Sequence, residues 1–236
     1  SVWSGWLFAG VGVGISLAGL LVLLAGARGD SPADSWVALG LASAAVAAVA
    51  WAPMRGAGAL AASRTQPAGR LGADDWRLVF CYGTFGFGYI IPATFLPAMA
   101  RDVISNPAVF GWVWPVFGAT AALSTVAVAM GSSHMKARRV WALGQLVMAA
   151  GVLVPVLWPG IAALLVAAVC VGGTFVAMTM AGLQEARRIA GAHAPRLMAA
   201  MTAAFALGQL AGPIVVALAA ADGSPLVWKR EHLRLL

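Results

Sequence analysis

Charged residues divide this chain into long apolar runs. Seven stretches of roughly 20 residues or more carry no charged side chain in their interiors, each long enough to cross a bilayer as a helix at about 1.5 Å per residue. They run from about Trp6 to Ala27, Ser35 to Pro53, Leu78 to Ala100, Phe110 to Met130, Val140 to Trp158, Gly160 to Leu183 and Leu197 to Ala221. The fifth and sixth lie within 45 residues that lack Asp, Glu, Lys and Arg, from Val140 to Gln184. That is too long for one span, and Trp158-Pro159-Gly160 divides it. The pattern predicts an all-α, polytopic membrane helix bundle with seven transmembrane helices.

Tryptophan placement agrees. Trp3, Trp6, Trp36, Trp51, Trp76, Trp112, Trp114, Trp141 and Trp158 all fall within a few residues of a predicted helix end. An indole prefers the interface, where its ring is apolar and its N–H stays wet.

The third stretch, LVFCYGTFGFGYIIPATFLPAMA, is the most informative. Gly83, Gly86 and Gly88 fall close together, and Pro92 and Pro97 follow. Both residue types weaken a helix interior, and in a membrane the freed backbone groups need neighbours or cavity water. Tyr82, Phe85, Tyr89 and Pro92 share one helical face. Two readings are open: a mobile helix lining a transport pathway, or a kinked structural helix. Two further glycine patterns stand out. The first helix holds Gly10, Gly14 and Gly19, and the last holds Gly208, Gly212 and Pro213. Small residues at this spacing let helix backbones approach closely, and their recurrence six spans apart also fits an internal repeat.

Composition supports the membrane assignment. The chain is 61% apolar and 10% charged, with mean hydropathy +0.89, against about 25% charged residues in soluble domains. The net charge of +7 is carried between the apolar runs, which is a topology signal rather than a nucleic-acid footprint. Arg55, Arg64, Arg70 and Arg77, then Lys136, Arg138 and Arg139, then Arg187, Arg188 and Arg196 fall on one side. The opposite loops carry only Arg28 and Arg101. The basic side is expected to be cytoplasmic. Lys229, Arg230 and Arg234 disagree, because seven spans place the tail outside. Either an eighth span follows or the tail is not native.

Candidate chemistry is sparse. Polar residues within the runs include Ser16, Thr84, Thr94, Thr120, Ser124, Thr125, Gln145, Thr174, Thr179 and Gln209. All eight acids lie at or beyond helix ends; Asp34, Asp102 and Glu185 come nearest the membrane and read as solvated caps. Glu185 also reads as an anchor for its loop through Arg187 or Arg188. Cys81 and Cys170 read as reduced packing residues. There is no mid-span lysine, no H-E-x-x-H and no P-loop, so an enzyme is not expected, nor is a cofactor or metal.

With these stretches laid out, the sequence resembles the major facilitator superfamily, most closely its bacterial YbfB/YjiJ-type branch. The resemblance rests on CYGTFGFGYIIPATFLPAMAR, GWVWPVFGATAALST, TFVAMTMAGLQEARR and LMAAMTAAFALGQLAGP, and covers nearly everything from Trp3 to Ala221. It implies part of a twelve-helix fold. Residues 1–54 resemble the fifth and sixth helices, 55–77 the central cytoplasmic loop, and 78–221 the seventh to eleventh helices; 222–236 form a non-spanning tail. An incomplete transporter is expected, with the missing helices as its partners, in the bacterial inner membrane. The implied mechanism is alternating access of a small molecule. Tyr82, Phe85 and Tyr89 are the leading pathway residues, with Thr179 and Gln209 behind them. Gly83, Gly86, Gly88, Pro92, Gly208, Gly212 and Pro213 are read as hinge or packing residues. Gly131, Lys136 and Arg139 match a family loop motif, while Met135, Arg138 and Val140 depart from it. The alternative is a non-transporting truncated membrane protein or helix-packing partner.

Overall fold

The computed structural model describes residues 2–54, 70–103, 111–131, 135–158 and 160–221. The described elements are α1 (Val2–Arg28), α2 (Pro32–Met54), α3 (Ala73–Val103), α4 (Val113–Gly131), α5 (Ala137–Leu157), α6 (Ile161–Ala190), a 3-10 turn (Gly191–His193) and α7 (Ala194–Ala221). Six helical stretches are long and apolar enough to cross a membrane, the last being a run of 59 residues from Ile161 to Ala219. The seven crossings expected from sequence require that run to be divided at its 3-10 turn. Most of the predicted linker (55–69) and the whole of the tail (222–236) lie outside the described residues.

Local chemistry sets the helix ends. Gly29, at φ +80°, closes α1: its N–H donates to the Gly26 carbonyl, and the Asp30 N–H donates to Ala25. This pair of bonds satisfies two carbonyls that the helix end would orphan. Ser31-Pro32-Ala33-Asp34 then starts α2. The Asp34 N–H donates to Ser31 Oγ at 3.2 Å, and the Ser31 N–H donates back to the Asp34 carboxylate at 3.1 Å. Pro32 has no N–H to leave unpaired. Ser31 is thus the N-cap, and Asp34, expected as a solvated cap, is its exposed capping-box partner. At the start of α3 the Gly72 N–H donates to Asp75 Oδ2 at 2.9 Å.

Glycines set the packing. Along α1 the close contacts fall at Gly5, Gly12 and Gly19, against Ala129, Gly118 with Ala122, and Pro115 of α4. A Cβ on Gly12 would lie 2.6 Å from the Gly118 carbonyl oxygen. The order of these contacts makes α1 and α4 antiparallel. Gly10 and Gly14, singled out above, face open space; Gly19 alone of that trio packs. The working repeat is seven residues, not four.

Along α3, Gly83 lies on Ala204, Gly86 on Phe205 and Gly208 on Gly83 and Phe87, with Gly212 on Ile90. Contacts advance together, so α3 and α7 run parallel. Tyr82 meets Gly182 and Tyr89 meets Phe175, so α3 and α6 run antiparallel. The chain therefore reverses direction at Gly191–His193, where Gly191 takes φ +49°. The core sits among α3, α4, α5, α6 and α7. By contrast, α2 leans on α1 and buries none of its apolar window. Outer faces present Leu7, Val49, Phe80, Leu123 and Leu157, an apolar surface that lipid solvates.

Candidate functional site

The third helix is continuous from Ala73 to Val103 despite its glycines and prolines. Its expected breakability is not expressed as a break. The physical reason is the seam: Gly83 and Gly86 admit α7 to backbone distance, and that contact supports the helix through its glycines. Gly88 faces open space and Pro92 is buried. Pro213 lies within α7, half-buried.

That close approach turns the Tyr82, Phe85 and Tyr89 face inward. The three residues are 3%, 1% and 9% exposed. They form a column of rings fed by every other core helix. Tyr82 meets Trp141 of α5 edge-on at 5.7 Å and Phe85 at 5.7 Å. Phe205 of α7 lies 5.4, 5.3 and 6.3 Å from Tyr82, Phe85 and Tyr89. Tyr89 stacks on Phe175 of α6 at 4.4 Å, with 12° between ring planes, and Phe175 touches Phe117 of α4 at 6.3 Å. Edge-on and offset rings at these separations each add about 0.5–1.5 kcal/mol beyond area burial.

The polar atoms are few and unequal. The Tyr82 hydroxyl lies close to the Thr179 side chain. Thr179 Oγ1 donates to the Phe175 carbonyl one turn back at 3.0 Å. Thr120, Thr125 and Thr174 likewise bond their own helices. Among the described residues the Tyr89 hydroxyl has no hydrogen-bond partner, although the residue is nine-tenths buried. Gln209 is half-buried one turn beyond Phe205. The structure thus sets Tyr82 beside Thr179 and gathers Tyr82, Phe85 and Tyr89 into one cluster.

Sequence reasoning missed Trp141, Phe175, Phe205 and Gly182. Trp141 was read as interfacial, yet it is half-buried on Tyr82. A Cβ on Gly182 would lie 2.8 Å from Tyr82 Cε2, so this glycine makes room for the ring.

Two polar contacts lock one end of the bundle. Glu185 of α6 is 4% exposed and accepts from Arg138 Nε of α5 at 2.5 Å and from Arg188 at 2.7 and 2.8 Å. It is a buried carboxylate bridging two helices, not a solvated cap. Arg188 is its local anchor, as expected; Arg138, a departure from the family loop motif, supplies the long-range contact. Gly131 ends α4, Lys136 precedes α5 and Arg139 lies in its first turn, all exposed. Residues 132–134 of that motif lie outside the described residues. The second contact joins Asp75 Oδ2 of α3 to His193 Nε2 of the 3-10 turn at 3.2 Å. The starts of α3, α5 and α7 therefore lie together with the end of α6.

A separate cavity of about 1010 Å³ opens between α1, α2 and the start of α4. Ile15, Leu23, Leu39, Trp36 and Trp114 line it, with Asp30. None of the predicted pathway residues does.

No curated protein and no solved structure matches the chain. The family described as "Uncharacterised MFS-type transporter YbfB" matches residues 2–228, nearly the whole length. The chain is a multi-pass membrane protein that belongs to the YbfB-type branch of the major facilitator superfamily of transporters.

Proposed function

We propose that this chain moves a small molecule across the bacterial inner membrane by alternating access, along a pathway that includes the aromatic face of α3. The observation that carries the reading is the column itself. It is built from five helices and sits behind a seam where glycines bring the α3 and α7 backbones together. Tyr82, Phe85 and Tyr89 supply the binding surface, Thr179 and Gln209 the secondary polar groups. Gly83, Gly86, Gly88 and Pro92 on α3, with Gly208, Gly212 and Pro213 on α7, allow local bending when the seam shifts.

In this reading there are seven crossings. The 59-residue run is about 88 Å long if straight, roughly three times a bilayer core, and the reversal at Gly191–His193 divides it into two spans. The end of the bundle that carries the Arg138–Glu185 and Asp75–His193 contacts is the cytoplasmic one. It gathers the three predicted basic loops, as the positive-inside rule requires.

Residues 1–54 and 78–221 are the two helical groups that move, and their pivot is the α1–α4 seam. Gly12 and Ala122 meet there near the middle of both helices, so the ends can splay while the centre stays in contact. This is the rocking geometry of secondary transporters. Spin labels at Arg28→Cys and Trp112→Cys, both exposed at the non-cytoplasmic end, test it. Two distance populations that exchange weight with conditions are expected. A single narrow distance in every condition refutes the rocking.

A further inference from the structure

Resting on that reading, we infer that the substrate class is a flat, uncharged aromatic molecule carrying one hydrogen-bonding group, recognised by Tyr89 and the ring it stacks on. Three observations converge.

The first is the orphaned hydroxyl. A buried hydroxyl without a partner pays its full desolvation cost. Tyr89 sits in the core cluster with Phe85, Phe175 and Phe205 against its ring. Those neighbours offer no side-chain donor or acceptor. Tyr82, on the same face, has the Thr179 side chain close by. A polar atom on a guest would relieve Tyr89 and leave Tyr82 as it is.

The second is ring geometry. Around Tyr82, Phe85 and Trp141 stand edge-on, at 69° and 89°, and Phe205 is tilted at 44°. Tyr89 lies near-parallel to Phe175, at 12°, and to Phe205, at 21°, with Phe85 tilted at 48°. Parallel faces suit insertion of another planar ring. The opening needed is about 3.5 Å, one van der Waals layer between carbon atoms. Phe175 belongs to α6 and Tyr89 to α3, so relative motion of these helices opens the slot.

The third is the absence of charge from the column among the described residues. Glu185, the buried carboxylate, is already held by two arginines at the end of the bundle. An ion entering the Tyr89 slot would have no counter-charge, which is a large cost. A cationic guest gains from ring faces, but it prefers several faces around it rather than one parallel pair.

The test uses the whole chain in lipid nanodiscs, with empty nanodiscs to subtract partitioning. Equilibrium dialysis measures indole, 1-methylindole and benzyltrimethylammonium. Saturable binding of indole is expected, with benzyltrimethylammonium no different from empty discs. Tyr89→Phe should weaken indole binding about fivefold, the scale of one neutral hydrogen bond, and leave 1-methylindole unchanged. Phe175→Leu should weaken both, and Thr84→Val, on an exposed face, neither. Equal loss of both indoles on Tyr89→Phe, tighter binding of the cation, or no saturable binding of indole overturns the assignment. Cysteine accessibility separates the two levels. If the α3 face becomes wet but no indole binds, only the substrate class is wrong. If that face never becomes wet, the pathway reading falls with it.

Discussion

A methyl group added at Gly86 tests the α3–α7 seam most sharply. A Cβ there would overlap the Phe205 carbonyl oxygen and lie 2.9 Å from Phe205 Cα. Ordinary carbon contacts sit near 3.5–4.0 Å, so α3 and α7 must separate by roughly 0.6–1 Å at this level. Overpacking of this kind costs about 1–3 kcal/mol, and the obstacle is backbone, which cannot swing aside. Gly88→Ala is the internal control. It lies two residues along the same helix, and nothing approaches its Cβ position within 4 Å. It should be neutral or stabilising by up to about 1 kcal/mol through helix propensity. Gly208→Ala meets the same seam from the other side, overlapping the Gly83 carbonyl and lying 2.7 Å from the Phe87 nitrogen. One separation relieves both clashes, so Gly86→Ala with Gly208→Ala should cost less than the sum of the singles. Reversible denaturant unfolding in micelles, followed by circular dichroism, measures all four. Equal costs for Gly86→Ala and Gly88→Ala, or strict additivity of the pair, would refute the seam as the organising contact.

Three further outcomes follow from the same geometry. Gly12→Ala should destabilise by about 1–3 kcal/mol while Gly14→Ala should not, because only the former meets α4; the unfolding assay that ranks them the other way restores the four-residue pattern. Glu185→Gln should cost about 1–2 kcal/mol and raise amide exchange at the start of α5, since Arg138 loses its charged partner; unchanged exchange there means the contact does not tie α5 to α6. Gly182→Ala should displace the Tyr82 ring and change the near-ultraviolet dichroism of the Tyr82–Trp141 pair, a signal that stays constant if Gly182 is merely filler.

Helix existence was legible from the sequence because lipid imposes it. A charge-free run of this length has no stable alternative in hydrocarbon. Which face each helix turns inward was much less legible. In α1 almost every residue is apolar, so no polar stripe marks the outside. Spacings of four and of seven then look equally good, and Gly10 and Gly14 stand out while Gly5 and Gly12 do not. The face of α3 was readable because its aromatics and glycines alternate with a helical period. Its partners were not. Trp141 obeys the interfacial rule by position but spends its ring on Tyr82. Phe175 and Phe205 look like ordinary apolar residues until the fold sets them beside Tyr89. Glu185 shows the same limit in its charge. Arg188 lies three residues away and could be paired with it by eye; Arg138 lies 47 residues away, and only the antiparallel packing of α5 on α6 unites them.

Water access along α3 is the most direct test of the whole account. Single cysteines replace Tyr82, Phe85 and Tyr89, and Phe80 and Thr84 on the exposed face, in a background lacking Cys81 and Cys170. A membrane-impermeant thiol reagent is applied from each side in turn. The account predicts labelling of the three aromatic positions, from either side according to conditions, with Phe80 and Thr84 sealed in lipid. Uniform protection of all five positions from both sides would contradict it.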